Sequence, residues 1–328
     1  MCIRDSVQLT AEAGSPFSLE GDAAYRIWRQ RKLEQRPGLE ELLVPVENPF
    51  ELSAPEKVRI KDLCRRCNTA VYKVSESFRF DDKELVHRLG LQFGLSRLDD
   101  NLRADEDDIT SLTVTEQQGN QYIPYTNRPL SWHTDGYYNA PENQVRGILL
   151  HCASPSADGG DNSLIDHELV YIYLRDENPD YISALMHPEA MTIPPNVESG
   201  TEIRGACAGP VFSVDALTGS LHMRYSARKR NIVWRDDVIT REAANRITEL
   251  LEIDELTYRY RLKAGEGLIC NNILHRRSGF EDSQDQKRLM YRARYYDRIE
   301  GTGLKSQAGT HNGASVYVVV ERSDHARA

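Results

Sequence analysis

Apolar positions recur three and four residues apart in the first part of the chain and two apart through most of the remainder. The helical spacing predicts helices over DAAYRIWRQRKLEQ (22–35), from Ser53 to about residue 69, and over DDKELVHRLGLQFGL (81–95). The middle one runs into a short strand, AVYKVS (70–75). From about residue 110 short β-type segments alternate with Gly, Pro and Asn turns: SLTVTE, VRGILLHCAS, VFSVD, SLHMRYS, LTYRYRLKAGEG, GLICNNIL and RLMYRARYYD. ELVYIYLRDENPDYISALM (168–186) returns to a helical period and is expected to pack outside a sheet. Many short, evenly spaced strands imply a β-rich α+β fold, a closed or double-sheet β architecture with flanking helices. Residues 1–20 read as an irregular tail and 21–300 as a single domain. Residues 301–328 read as a Gly-rich connection followed by a strand, SVYVVV, and a charged end.

Composition narrows the partners. The 328 residues carry 41 Lys and Arg against 50 Asp and Glu, a net charge of -9, so the cationic surface that holds a phosphate backbone is absent from the overall balance. Nucleic acid is not an expected partner. No apolar run reaches the roughly 18 to 20 residues that cross a bilayer, and no basic segment followed by an apolar one opens the chain. The expectation is a cytoplasmic protein without a membrane partner, able to form a homo-oligomer. Six cysteines in so long a chain do not make a disulfide scaffold, and Cys64 and Cys67 lack a second pair to complete a zinc site. They read as ordinary helix positions. No Gly-x-Gly-x-x-Gly follows a strand and no phosphate-loop pattern is present, so nucleotide chemistry has no support in the sequence.

His133 and Asp135 stand two apart in Trp-His-Thr-Asp, so an extended backbone aims a ring nitrogen and a carboxylate toward one point. Two histidines and one carboxylate with open positions opposite suit non-haem Fe(II). The best-placed second histidine is His275, which ends an apolar strand 142 residues later, a gap that a sheet folding back on itself can close. Beyond it, Arg288, Met290, Arg292 and Arg294 share one face of a strand. Such arginines form either a solvated face or a pocket wall that grips carboxylates in a bidentate fork.

Taken together these residues resemble the taurine dioxygenase and 2,4-dichlorophenoxyacetate dioxygenase family of Fe(II)- and 2-oxoglutarate-dependent oxygenases. The resemblance runs from about residue 53 to 297. It is carried by the helix and strand around residues 53–74, DDKELVHRLGLQFG, Trp-His-Thr-Asp, Pro155 with Gly159-Gly160-Asp161, His275 and Arg-Leu-Met-Tyr-Arg at 288–292. It implies a double-stranded β-helix, a cupin-like jelly roll with flanking helices. It also implies that His133, Asp135 and His275 ligate Fe(II) and that 2-oxoglutarate and O2 are cosubstrates. Arg288 would bind the distal carboxylate of 2-oxoglutarate, and Arg292 would stand near its other carboxylate and the substrate. Asn162 falls where many relatives carry threonine contacting the cosubstrate; an amide can also donate there. An Asp at position 135 points to hydroxylation or an allied oxidation, because halogenating relatives lack a carboxylate there.

The substrate is expected to be small and anionic or zwitterionic. Trp132, Tyr137, Tyr138 and Arg230 are candidate substrate residues, the last from HMRYSARKRN at 222–231, whose arginines as a group read more readily as an exposed basic edge than as a pocket wall. Pro129 stands where some relatives have a polar residue, so the resemblance does not extend to taurine as substrate. Two other classes remain open: a non-catalytic metal-binding jelly roll of the cupin type, which would leave Arg288 and Arg292 without a role, and a nucleic-acid-repair oxygenase, which the net charge disfavours.

Overall fold

A computed structural model of the chain describes residues 14–75, 82–99, 109–114, 123–198, 200–228 and 232–305. The strands form two principal sheets. One has six strands in the order Leu43–Val46, Thr69–Val74, Glu266–Cys270, Gly147–Ser154, Leu289–Tyr295 and Thr110–Leu112; its first pair is parallel and the rest are antiparallel. The other has four antiparallel strands in the order Tyr258–Tyr260, Asn162–Ile165, Leu274–Arg277 and Leu130–His133. This is the open, double-sheet form of the jelly roll, not a closed barrel.

Each sheet has a helical cover. Ala54–Cys67 begins at a capping box in which Ser53 accepts from the Glu56 N–H while Glu56 accepts from the Ser53 N–H, and Pro55 occupies the first turn. It ends at Asn68 in the left-handed region, φ 60°. This helix and Asp82–Leu91 bury Leu63, Leu85 and Leu89 with Val71, Leu149 and Ala293 of the six-stranded sheet. The second core joins Trp132, Ile165 and Leu274 of the smaller sheet to Leu169, Ile182 and Ile247 of the helices His167–Glu177, Pro179–Leu185 and Val238–Leu250.

Four features differ from the sequence reading. The helical stretch 168–186 is two helices, because Pro179 cannot donate to an ongoing helix and Asn178 caps the second one by accepting from the Asp180 N–H. The third predicted helix stops at Leu91 rather than 95, with Gly94 turning the chain at φ 74°. Val238–Leu250 is an additional helix, capped by Asp237, whose inner face is built largely from Thr240, Ala243 and Ala244. The end of the predicted tail is docked: Phe17 is buried edge-on against Tyr171 and Trp28, and Arg175 donates to the carbonyls of Pro16 and Ser18. The predicted strand SVYVVV and residues 1–13 lie outside the described residues. No helix among the described residues is long and apolar enough to cross a membrane.

Candidate active site

His133 ends one strand and His275 occupies the next, and the antiparallel register sets the two residues directly opposite each other. Their rings lie 4.2 Å apart between centroids. Asp135 follows just past the strand end, with its Oδ1 3.4 Å from His133 Nε2 and 3.8 Å from His275 Nε2. One donor atom from each of the three residues lies within 4.8 Å of the others, and no second such cluster occurs among the described residues. Each imidazole places Nδ1 2.9 Å from the carbonyl two residues earlier, Ser131 for His133 and Ile273 for His275. A carbonyl only accepts, so Nδ1 carries the proton and Nε2 keeps a free lone pair, as metal ligation requires.

The electrostatics favour the same protonation states. Burial raises the energy of the Asp135 carboxylate, but Arg292, with Nη1 3.2 and 3.3 Å from its two oxygens, together with His133, His275 and Arg294, outweighs burial and holds it well below the usual carboxylate range. Burial, reinforced by His133, pulls the His275 imidazole down to about 4. Two neutral imidazoles and one ionised carboxylate fit a divalent first-row metal such as Fe(II). A pH dependence follows for the metal-free protein. An unfolded histidine takes up a proton near pH 6.5, whereas folded His275 resists until about 4, so stability falls as pH drops through that window and is unaffected above it. Thermal unfolding of the apoprotein between about pH 7 and pH 4 should show this loss. His275→Asn should lessen the loss without abolishing it, since burial also opposes protonation of His167 and His222; parallel curves for both proteins would contradict the His275 contribution.

Arg288, Met290, Arg292 and Arg294 are all buried, so the arginine face lines the interior rather than solvent. Arg294 is the structural member. It pairs with Asp99 and donates to the Tyr138 hydroxyl at 2.8 Å, and Tyr296 and Asn139 also donate to Asp99. Arg288 is different. It borders an open recess with Ser156, Gly160, Asn162, Arg261 and Met290. Its guanidinium stands 5.2 Å from the Phe280 ring centre and forms no ion pair or side-chain hydrogen bond among the described residues. Burial pulls Arg288 down to about 10, and burial together with the Arg288 charge pulls neighbouring Arg277 down to about 9. An uncompensated buried cation is costly unless an anion joins it. Asn162 reaches the same recess, where its amide makes a long 3.4 Å contact to the Tyr260 carbonyl.

The candidate substrate residues separate. Trp132 alternates with His133 on its strand, lies 3% exposed in the core behind the sheet, and carries Arg276 over its ring at 4.7 Å. It packs on the far face, which corrects its expected place beside the substrate. Tyr137 edges onto His133 with centroids 6.4 Å apart, while the Tyr138 hydroxyl is held by Arg294. The basic segment is not an exposed edge at Arg224, which is buried and donates to the carbonyls of Tyr137, Met191 and Cys207. Arg230 lies outside the described residues. Cys64 and Cys67 are buried and free, each donating to backbone carbonyls. Sequence reasoning missed Asn272, which bonds to the backbone of Asp135; two adjacent amides inside the apolar run GLICNNIL were the available signal.

The chain is similar to known dioxygenases in sequence and in fold. A uridine-5'-phosphate dioxygenase from Amycolatopsis sp is 30% identical over 174 residues, which span 50% of this chain and 60% of that protein. Among solved structures, a taurine dioxygenase from Burkholderia xenovorans superposes with TM-score 0.53 at 20% identity, covering 76% of this chain and 83% of that one. The non-heme iron oxygenase OrfP, solved with Fe and alpha-ketoglutaric acid, superposes with TM-score 0.53 at 16% identity over 74% of this chain and 81% of its own. The model of the taurine catabolism dioxygenase TauD, TfdA family matches residues 31–294, and the chain belongs to that family.

Proposed function

We propose that this chain is an Fe(II)- and 2-oxoglutarate-dependent dioxygenase that oxidises a C–H bond of a small anionic substrate, with residues 21–300 as the catalytic unit. In the balanced reaction one O2 and one 2-oxoglutarate are consumed, succinate and CO2 leave, and one oxygen atom enters the product. The observation that carries the reading is the buried Arg288 guanidinium, without an ion pair among the described residues, on the same strand face as Arg292, which contacts Asp135 of the donor cluster. A non-catalytic cupin-type metal protein accounts for the donors but gives that cation nothing to bind.

The iron, when bound, supplies the oxidising chemistry toward O2 and the substrate. The protein's part is placement. The sheet register fixes His133 and His275, Arg292 keeps Asp135 ionised, and Arg288 offers the fork for the distal carboxylate of 2-oxoglutarate, with Asn162 beside it. Arg288 and Arg292 lie four residues apart along one extended segment, roughly 13 Å. The Nε of Arg292 is buried without a hydrogen-bond partner among the described residues, a donor available to an anion beside the donor cluster. Tyr137 edges onto His133, and Tyr138 packs edge-on against Tyr137.

The names of the curated relatives make a nucleoside 5'-phosphate the first substrate class to examine. Succinate release with Fe(II), 2-oxoglutarate and ascorbate is expected to rise severalfold on adding the true substrate. The test panel holds uridine 5'-phosphate, other nucleoside phosphates, small sulfonates, carboxylates and amino acids. Stimulation by the sulfonates alone would remove the nucleotide assignment and keep the dioxygenase.

A further inference from the structure

We propose that Asn272 is a positioning residue for the metal centre, setting where Asp135 presents its carboxylate; the inference rests on the iron reading above. The two histidines are held by the strand ladder, since His133 and His275 pair in register. Asp135 is not. It lies beyond the end of the Leu130–His133 strand, and the only hydrogen bonds to its peptide N–H and C=O among the described residues come from one side chain. Asn272 Oδ1 accepts from the Asp135 N–H at 2.8 Å, and its Nδ2 donates to the Asp135 carbonyl at 2.9 Å and to the Val145 carbonyl at 2.6 Å.

The position demands asparagine on two grounds. Asn272 is fully buried in the link between the Glu266–Cys270 and Leu274–Arg277 strands, at φ 48°, where asparagine is tolerated far better than most side chains. The grip also needs a donor and an acceptor on one short planar group, which aspartate and serine do not supply in that geometry. The other side of the turn is closed as well. Gly136 has φ 66°, and a Cβ there would stand 2.5 Å from Val145 Cγ2. Asn272 therefore ties the segment three residues before His275 to the backbone of the third donor. It couples Asp135 to the His275 strand in place of the missing ladder, while Arg292 holds the carboxylate end.

The test measures anaerobic Co(II) and Fe(II) affinity by calorimetry, with the visible Co(II) spectrum as a geometric readout. Asn272→Gly keeps the backbone freedom and removes the amide; Asn272→Asp keeps the shape and removes the donor. Both should weaken metal binding by about ten- to a hundredfold and alter the Co(II) spectrum. Leu174→Ala, a core truncation in the outer helical layer, should lower the melting temperature yet leave affinity within threefold of the parent. Parental affinity and spectrum in both Asn272 variants would overturn the proposal. A parent protein whose metal binding is indifferent to Asp135→Ala would overturn the iron reading itself, a distinct outcome.

Discussion

Replacing Arg288 with alanine is expected to weaken 2-oxoglutarate binding to the metal-loaded protein by roughly thirtyfold to several thousandfold, because truncating one partner of a buried charge pair costs about 2 to 5 kcal/mol. The recess offers the cosubstrate's distal carboxylate no replacement of the same quality. Arg277 already donates to the carbonyls of Thr126 and Arg128, and Arg261 to those of Ser156 and Ala157. Arg288→Lys should fall between, retaining charge and losing the planar fork. Steady-state kinetics should register the alanine variant mainly as a higher KM for 2-oxoglutarate. Binding within threefold of the parent would assign the carboxylate to another cation.

The second large effect belongs to Asp135. Its removal takes away the only carboxylate of the donor cluster and leaves Arg292 buried without its counterion. A catalytic metal contributes several kcal/mol to a transition state, and about 4 kcal/mol corresponds to roughly a thousandfold in rate. Asp135→Ala should thus reduce succinate formation on the order of a thousandfold and weaken Fe(II) binding in parallel. Near-normal turnover would show that the ligand set is wrong. The histidines should be less tolerant of exchange than their chemistry alone suggests, because each Nδ1 is committed to a backbone carbonyl that fixes which nitrogen faces the centre.

The reading from sequence succeeded where a physical period or a strict spacing was present. Alternation put Arg288, Arg292 and Arg294 on one face, and the structure turns that face inward. The helix expected to start near Ser53 does so, at a capping box that the structure shows. What failed depended on tertiary context. Trp132 sits beside His133 in sequence, yet one step along a strand reverses the direction of the side chain. The Val238–Leu250 helix was overlooked although Ala243, Ala244, Ile247 and Leu250 recur on its buried face at helical spacing. Arg224 looked like a surface charge because nothing local reveals the four backbone carbonyls waiting for its guanidinium. Asn272 could only be understood once Asp135 was seen to lie beyond the ladder.

The most direct check of the central claim is calorimetry of 2-oxoglutarate binding to the apoprotein and to the Fe(II)-loaded protein under anaerobic conditions. The account predicts one tight equivalent that requires the metal and is lost in Asp135→Ala and Arg288→Ala. Binding of equal strength with and without Fe(II), or binding indifferent to both substitutions, would contradict it.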